Sequence, residues 1–203
     1  MVHGTQHVEL SAPLPPSGEV SVESRVDAVE DKRSGALVEI TATATGSGKT
    51  LFRSTTGLFI RGEGGFGESR RLSPSSEAGP IPDRPADIVR TEQTSASQAL
   101  LYRLCGDHNP LHSDPAFAAR AGFSRPILHG LCTWGFAGRM LARALPAGVA
   151  GVRRFGGRFR SPVLPGDELT AEAWHVADAE WAWRVQVADR TVIDRGVLVE
   201  DTE

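Results

Sequence analysis

A single stretch of this chain carries a long helical pattern, residues 129–145, and Pro146 forbids its continuation. Leu131, Trp134, Met140 and Leu141 can share one buried side of that helix, and glycines at 130, 135 and 138 allow another backbone or ring to come close. Strand-like sequence follows. Residues 158–163, 169–176, 181–187 and 192–199 read as strands, with Pro165-Gly166 and Asp189-Arg190 among the turns between them. A helix followed by an antiparallel sheet buries both apolar surfaces when the sheet folds over the helix, so the expected class is α+β.

The first third is sheet-like as well and shows no helical pattern. Val20, Val22 and Val26, then Leu37, Val38 and Ile40, fall between breaks at residues 13–18, 32–35 and 46–48. That spacing predicts four strands in an antiparallel meander, the last over residues 51–61. Residues 62–85 collect glycine, serine and proline and read as a linker across the surface. Two short helices are predicted next: Ser95-Ala-Ser-Gln98 is a capping box ahead of Ala99, Leu100, Leu101 and Leu104, with Gly106 as a stop, and Asp114-Pro115 opens a second helix ending near Gly122. The chain thus divides into a partial first domain (1–61), a linker (62–90) and a helix-centred second domain (91–203).

Composition removes several function classes. Hydrophobic residues make up 40% of the 203 and charged residues 23%, and no apolar run is long enough to cross a bilayer, so no membrane partner is expected. A net charge of -3 leaves no overall basic surface for nucleic acid. Cys105 and Cys132 are too few for a disulfide framework and lack metal-ligand spacing, which predicts free thiols. Met1-Val-His-Gly has neither the basic flank nor the apolar stretch of a signal peptide, and a cytoplasmic site is expected.

Two phosphate-loop patterns fail on context. Gly46-Ser-Gly-Lys-Thr50 ends like a P-loop, but Thr43 stands where the first glycine belongs and the segment joins two strands, as a hairpin turn does. Gly62-Glu-Gly-Gly-Phe-Gly67 fits a dinucleotide fingerprint by letter, yet Glu-Ser-Arg-Arg-Leu-Ser-Pro follows it in place of the required helix.

Polar side chains crowd instead into Leu104-Cys-Gly-Asp-His-Asn-Pro-Leu-His112, between two predicted helices. Asp107 and His112 supply a carboxylate and an imidazole that can hold a water from two sides and exchange protons with it near neutral pH. Pro110 would stiffen the turn between them. The same residue types also make an ordinary capping turn, and the residues alone leave both readings open. His108 and His112 stand four apart, a helical metal-ligand spacing with His129 as a third candidate, but Pro110 disfavours the helix this requires and no metal is expected. Gly130 opens the long helix, where unpaired amides and the dipole can face an anion such as an enolate oxygen. Packing against a sheet is the plainer account of that glycine, and Cys132 is expected in the core without chemistry.

Gly106-Asp-His-Asn-Pro-Leu-His112 resembles the signature of the hydratase 2 (MaoC-like) family of hot-dog-fold enzymes, with His108 at a variable position. Ala99-Leu-Leu-Tyr-Arg-Leu, Pro126-Ile-Leu-His-Gly-Leu-Cys-Thr133 and Arg158-Phe-Arg-Ser-Pro-Val163 look like the same catalytic region. His3-Gly4, Asp31-Lys-Arg-Ser-Gly35, Gly64-Gly-Phe-Gly67 and Ile81-Pro-Asp-Arg-Pro85 are similar to the family's non-catalytic first domain and linker, so the resemblance covers essentially the whole chain. It implies a double hot-dog fold whose first hot dog here lacks its helix. It also implies reversible hydration of trans-2-enoyl-CoA to (3R)-3-hydroxyacyl-CoA in fatty-acid or related acyl-CoA metabolism. Within it, Asp107 and His112 would bind and activate the water, Asn109 would order the site, and the Gly130 amide would hold the thioester oxygen. Substrate contacts are implied at His3, Gly4, Lys32 and Phe159, and along the signature at His108, Pro110 and Leu111. No metal or redox cofactor is required, coenzyme A being part of the substrate. The uncovered first sheet points to a homo-oligomer or a partner subunit. A thioester hydrolase on the same fold, or a non-catalytic acyl-CoA-binding subunit, are the alternatives.

Overall fold

The computed structural model describes residues 1–71, 80–146 and 148–201. Strands β1 (Val2–Leu10), β2 (Ser21–Asp31), β3 (Gly35–Gly46) and β4 (Lys49–Arg61) form the first half of one sheet, with β5 (Arg70–Arg71) on the edge of β2. After β6 (Ile88–Gln93) come three helices, α1 (Gln98–Arg103), α2 (Pro115–Arg120) and α3 (Gly130–Ala142). Strands β7 (Val152–Phe159), β8 (Glu168–Ala177), β9 (Glu180–Val187) and β10 (Arg190–Glu200) complete the second half. The order across the sheet is β5-β2-β3-β4-β1-β7-β10-β9-β8-β6. Its halves meet where β1 runs antiparallel to β7, from Thr5 opposite Arg158 to Glu9 opposite Arg154.

The second half closes over α3, which packs against β6, β7 and β8. Met140 and Leu141 of the helix meet Leu169, Val185, Ile193 and Trp183 of the sheet, all buried. Trp183 stacks on Phe155 with ring centres 4.6 Å apart, and truncating a fully buried tryptophan of this kind costs about 3–5 kcal/mol. Two of the three helix glycines account for the closeness of this packing. A Cβ at Gly138 would meet the Phe155 ring at 3.1 Å and one at Gly130 the Phe159 ring at 3.2 Å, whereas Gly135 faces open space. This is the helix-in-sheet arrangement of a hot dog.

No helix lies between β1 and β4, and Val20, Val22 and Val26 remain 50–55% exposed. Between β3 and β4, Ser47 and Gly48 take φ of 50° and 74°, which is the two-residue hairpin turn expected at the P-loop-like segment. Asp114 caps α2 as expected, accepting from the amides of Ala116 and Phe117.

Several elements depart from the sequence expectation. β7 begins at Val152 and ends at Phe159, earlier than the predicted strand at residues 158–163. Three arginines and two glycines mask its alternation, and after Arg160 donates to the Val192 carbonyl, Pro162 has no amide with which to extend the ladder. β6 was not expected as a strand: it is an edge strand with Val89 and Arg90 exposed, so its pattern reads as polar. The capping box at Ser95 does not form. Ser95 Oγ accepts from the Ser97 amide at 3.2 Å, and α1 starts without a side-chain cap. Part of the expected linker, residues 72–79, lies outside the described residues, but β5 shows that another part adds to the sheet.

Candidate active site

The segment after α1 is built to turn His112 inward. Asp107 Oδ1 accepts from the Asn109 amide at 3.1 Å, and Asn109 Oδ1 accepts from the Leu111 amide at 3.0 Å, capping a short 3-10 turn over Pro110–His112. Leu111 is buried against Ala118 and Ile127 and anchors that turn. His112 Nδ1 lies 2.8 Å from the Ile127 carbonyl oxygen. A carbonyl can only accept, so Nδ1 carries the proton and Nε2 keeps its lone pair.

His129 is the residue just before α3 and is only 2% exposed. Its ring stacks on His112 with centres 3.7 Å apart, lies 4.8 Å from the Tyr102 ring, and places Nε2 4.0 Å from Asp107 Oδ2. Asp107, Asn109, His112, His129 and Gly130 line one pocket of about 290 Å³, whose far wall includes His3, Leu58, Phe159 and Val192. Gly130 heads α3, where the first amides have no acceptor within the helix. Acid–base groups and helix-end donors thus face one space.

Burial governs the imidazoles. It holds His112 below the ordinary value although the Ile127 carbonyl and Asp107 favour the charged form. His129 is lowered by burial and by His112, against the pull of Asp107. Burial lowers His3 too, although Gln6 accepts from its Nε2 at 3.0 Å. Cys132 is buried with its thiol pushed up to about 11, which suits a core position without chemistry.

The remaining predicted contacts divide. His3 and Phe159 meet edge to face, ring centres 5.2 Å apart, and line both the acid–base pocket and an adjoining one of about 340 Å³. Gly4 and Lys32 line the adjoining pocket together with Arg61, Arg158 and Arg160. Lys32 pairs with Glu30 at 2.5 Å. The turn carrying it is fixed by Asp31, whose carboxylate accepts from the amides of Arg33, Gly65 and Gly67 and is held below the usual carboxylate range by them. The glycine-rich segment set aside as a nucleotide fingerprint is therefore a brace for the Lys32 turn. His108 and Pro110 are exposed and belong to neither pocket wall. Sequence reading assigned no role to Arg61, which lies in no motif, or to Arg160, which lies within the Arg158–Val163 segment, and weighed His129 chiefly as a metal ligand.

One ligand atom from each of Asp107, His112 and His129 lies within 4.8 Å of the others. Zinc bonds of about 2.0–2.1 Å at tetrahedral angles hold their ligands roughly 3.4 Å apart, so the 4.0 Å between Asp107 Oδ2 and His129 Nε2 is wide for a shared ion. Groups that share one hydrogen-bonded oxygen stand farther apart, as these do.

Fold and pocket together define a hot-dog protein with an acid–base site beside a helix N-terminus. The chain belongs to the MaoC-like family: residues 77–196 match the MaoC like domain, and residues 1–62 match the MFE-2 hydratase 2 N-terminal domain. It is 41% identical over 207 residues to 3-hydroxyacyl-thioester dehydratase Y of Mycobacterium tuberculosis, covering 99% of this chain and 71% of that protein. It is 42% identical over 184 residues to the peroxisomal enoyl-CoA hydratase 2 of Arabidopsis thaliana, covering 86% and 60%. A MaoC-like dehydratase from Phytophthora capsici has the same fold in crystals, with a TM-score of 0.91 at 34% identity, covering 100% of this chain and 72% of that one. The chain spans 60–72% of the length of these relatives.

Proposed function

We propose that this chain catalyses the reversible hydration of trans-2-enoyl-CoA to (3R)-3-hydroxyacyl-CoA. The observation that carries this reading is the convergence of Asp107, His112 and the Gly130 end of α3 on one pocket. A water held between the Asp107 carboxylate and His112 Nε2 loses a proton to the pair as its oxygen bonds to C3. The Gly130 amide holds the thioester oxygen while negative charge collects there, and a proton returned to C2 completes the addition of one water. Run backwards, the same groups expel water from the 3-hydroxyacyl thioester. The hydratase and dehydratase names of the family relatives support the reaction.

Lys32, Arg61 and Arg160 along the adjoining pocket suit the phosphates of coenzyme A, with His3 and Phe159 between them and the reacting carbons. Hydration needs no redox group, and the spacing of Asp107 and His129 favours a shared oxygen over a metal. Among the described residues no helix is long and apolar enough to cross a membrane, and the site of action in this reading is the cytoplasm.

Purified protein given crotonyl-CoA is expected to remove the conjugated enoyl absorbance without releasing thiol. Thiol release would indicate a hydrolase, and acyl-CoA binding without either change a binding subunit. The exposed Val20, Val22 and Val26 face also favours self-association, so light scattering is expected to give a mass above that of one chain. A monodisperse monomer would refute that part of the reading.

A further inference from the structure

Among the described residues neither ring nitrogen of His129 makes a hydrogen bond of normal geometry, although the residue is 2% exposed and the Asp107 backbone lies near enough to favour its charged form. Leaving a buried imidazole so is costly, and the fold goes to some length to keep it there. Its carbonyl accepts from the amides of Cys132 and Thr133 to start α3, while Tyr102 and His112 hold the ring from the sides. Nε2 is aimed toward Asp107 Oδ2 but stops at 4.0 Å, too far for a direct hydrogen bond. The hydration mechanism above makes no use of this ring.

The separation between these groups says what fits among them. Three atoms no more than 4.8 Å apart always lie within a circle of radius about 2.8 Å, an ordinary hydrogen-bond length. An oxygen at the centre of that circle would lie within hydrogen-bond reach of one atom from each of Asp107, His112 and His129. We propose that His129 is a third catalytic residue, whose ring N–H donates to the oxygen that bonds to C3 in hydration and leaves C3 in dehydration. This rests on the hydration reading. The donor count agrees with it: a water gives its two protons to the Asp107 carboxylate and to His112 Nε2, accepts one N–H from His129, and keeps its second lone pair for C3. His129 transfers no proton. In the reverse direction its N–H stabilises the charge that builds on the departing hydroxyl. Burial and the neighbouring His112 keep the ring neutral near pH 7, so it retains both an N–H and an unprotonated nitrogen.

The test compares ligands that differ only in the hydroxyl, (3R)-3-hydroxybutyryl-CoA and butyryl-CoA, by calorimetry. His129→Leu, which has no donor, is expected to weaken the hydroxylated ligand about ten-fold and leave butyryl-CoA unchanged, while His129→Gln, which keeps an N–H, retains most of the difference. Equal effects on both ligands, or no effect, would overturn the contact. Should His129→Leu fail to fold, the imidazole 15N resonances of the unmodified protein decide the matter. They are expected to shift on adding the hydroxylated ligand and not on adding butyryl-CoA, and identical responses would overturn the proposal. Crotonyl-CoA turnover is read separately. Selectivity for the hydroxyl without turnover would sink the hydration reading and leave the His129 contact standing, and a chain that binds neither ligand would sink both.

Discussion

His112 Nδ1 donates to the carbonyl of Ile127, 2.8 Å away and fifteen residues further along the chain. That bond selects the basic nitrogen and aims it at the pocket shared with Asp107. Asp107→Asn and His112→Ala are each expected to lower kcat by about two orders of magnitude or more with melting temperatures little changed. Crotonyl-CoA assays run beside melting curves check this, and near-normal rates would remove the pair from the chemistry.

Stability should fall on acidification through the imidazoles. His3, His112 and His129 are all held below the ordinary value of 6.5, with burial the largest cause in each. Below about pH 6.5 the unfolded chain therefore binds protons that the folded chain refuses, and stability is lost as pH falls toward the lowered folded values. Melting temperature is expected to drop between about pH 7 and pH 5, and less steeply in His129→Gln. The same lowering keeps His112 Nε2 unprotonated, so the acid limb of kcat is expected below pH 6.5. Parallel melting profiles in the two proteins would contradict the burial account.

The two close-packed helix glycines are expected to separate stability from catalysis. Gly138→Ala presses on Phe155 behind the pocket and should cost about 1–3 kcal/mol while sparing kcat. Gly130→Ala presses on Phe159, which lines the pocket, and displaces the helix end that faces it, so a roughly ten-fold loss of kcat is expected. Denaturant titration and steady-state rates on both variants give the comparison, and a reversed pattern would argue against the Gly130 amide as the oxygen donor.

Lys32 lines the adjoining pocket and not the acid–base one. Lys32→Ala is expected to raise KM for crotonyl-CoA several-fold, roughly three to ten, with kcat nearly unchanged, because the contact is remote from the reacting carbons. Crotonyl-pantetheine, which lacks the nucleotide, serves as the control and should not distinguish the variant. A fall in kcat with unchanged KM would place Lys32 elsewhere in the cycle.

Much of the architecture was legible wherever one local rule dominated. Pro146 and the apolar side of 129–145 announced α3, Asp114-Pro115 announced α2, and the spacing of breaks in the first third gave its strands. β7 and β6 were not legible, because glycines and arginines in one and edge exposure in the other erase alternation. Asp107, Asn109 and His112 sit within one short motif and could be read as a group. His129 entered only as a third metal-ligand candidate beside His108 and His112, since its stacking on His112 and its approach to Asp107 come from the fold.

The seam between the two half-sheets also sets how the two walls of the proposed substrate site face each other. His7 of β1 stands opposite Gly156 of β7, and its ring occupies the space a side chain at 156 would need, since a Cβ there would come within 1.9 Å of it. A slip of one residue along that seam would turn every β1 side chain to the opposite face and carry His3 away from Phe159. The nesting of His7 on Gly156 fits the observed alignment. The distance from the acid–base groups to the cationic wall is thereby set by backbone pairing at a place that lines neither pocket.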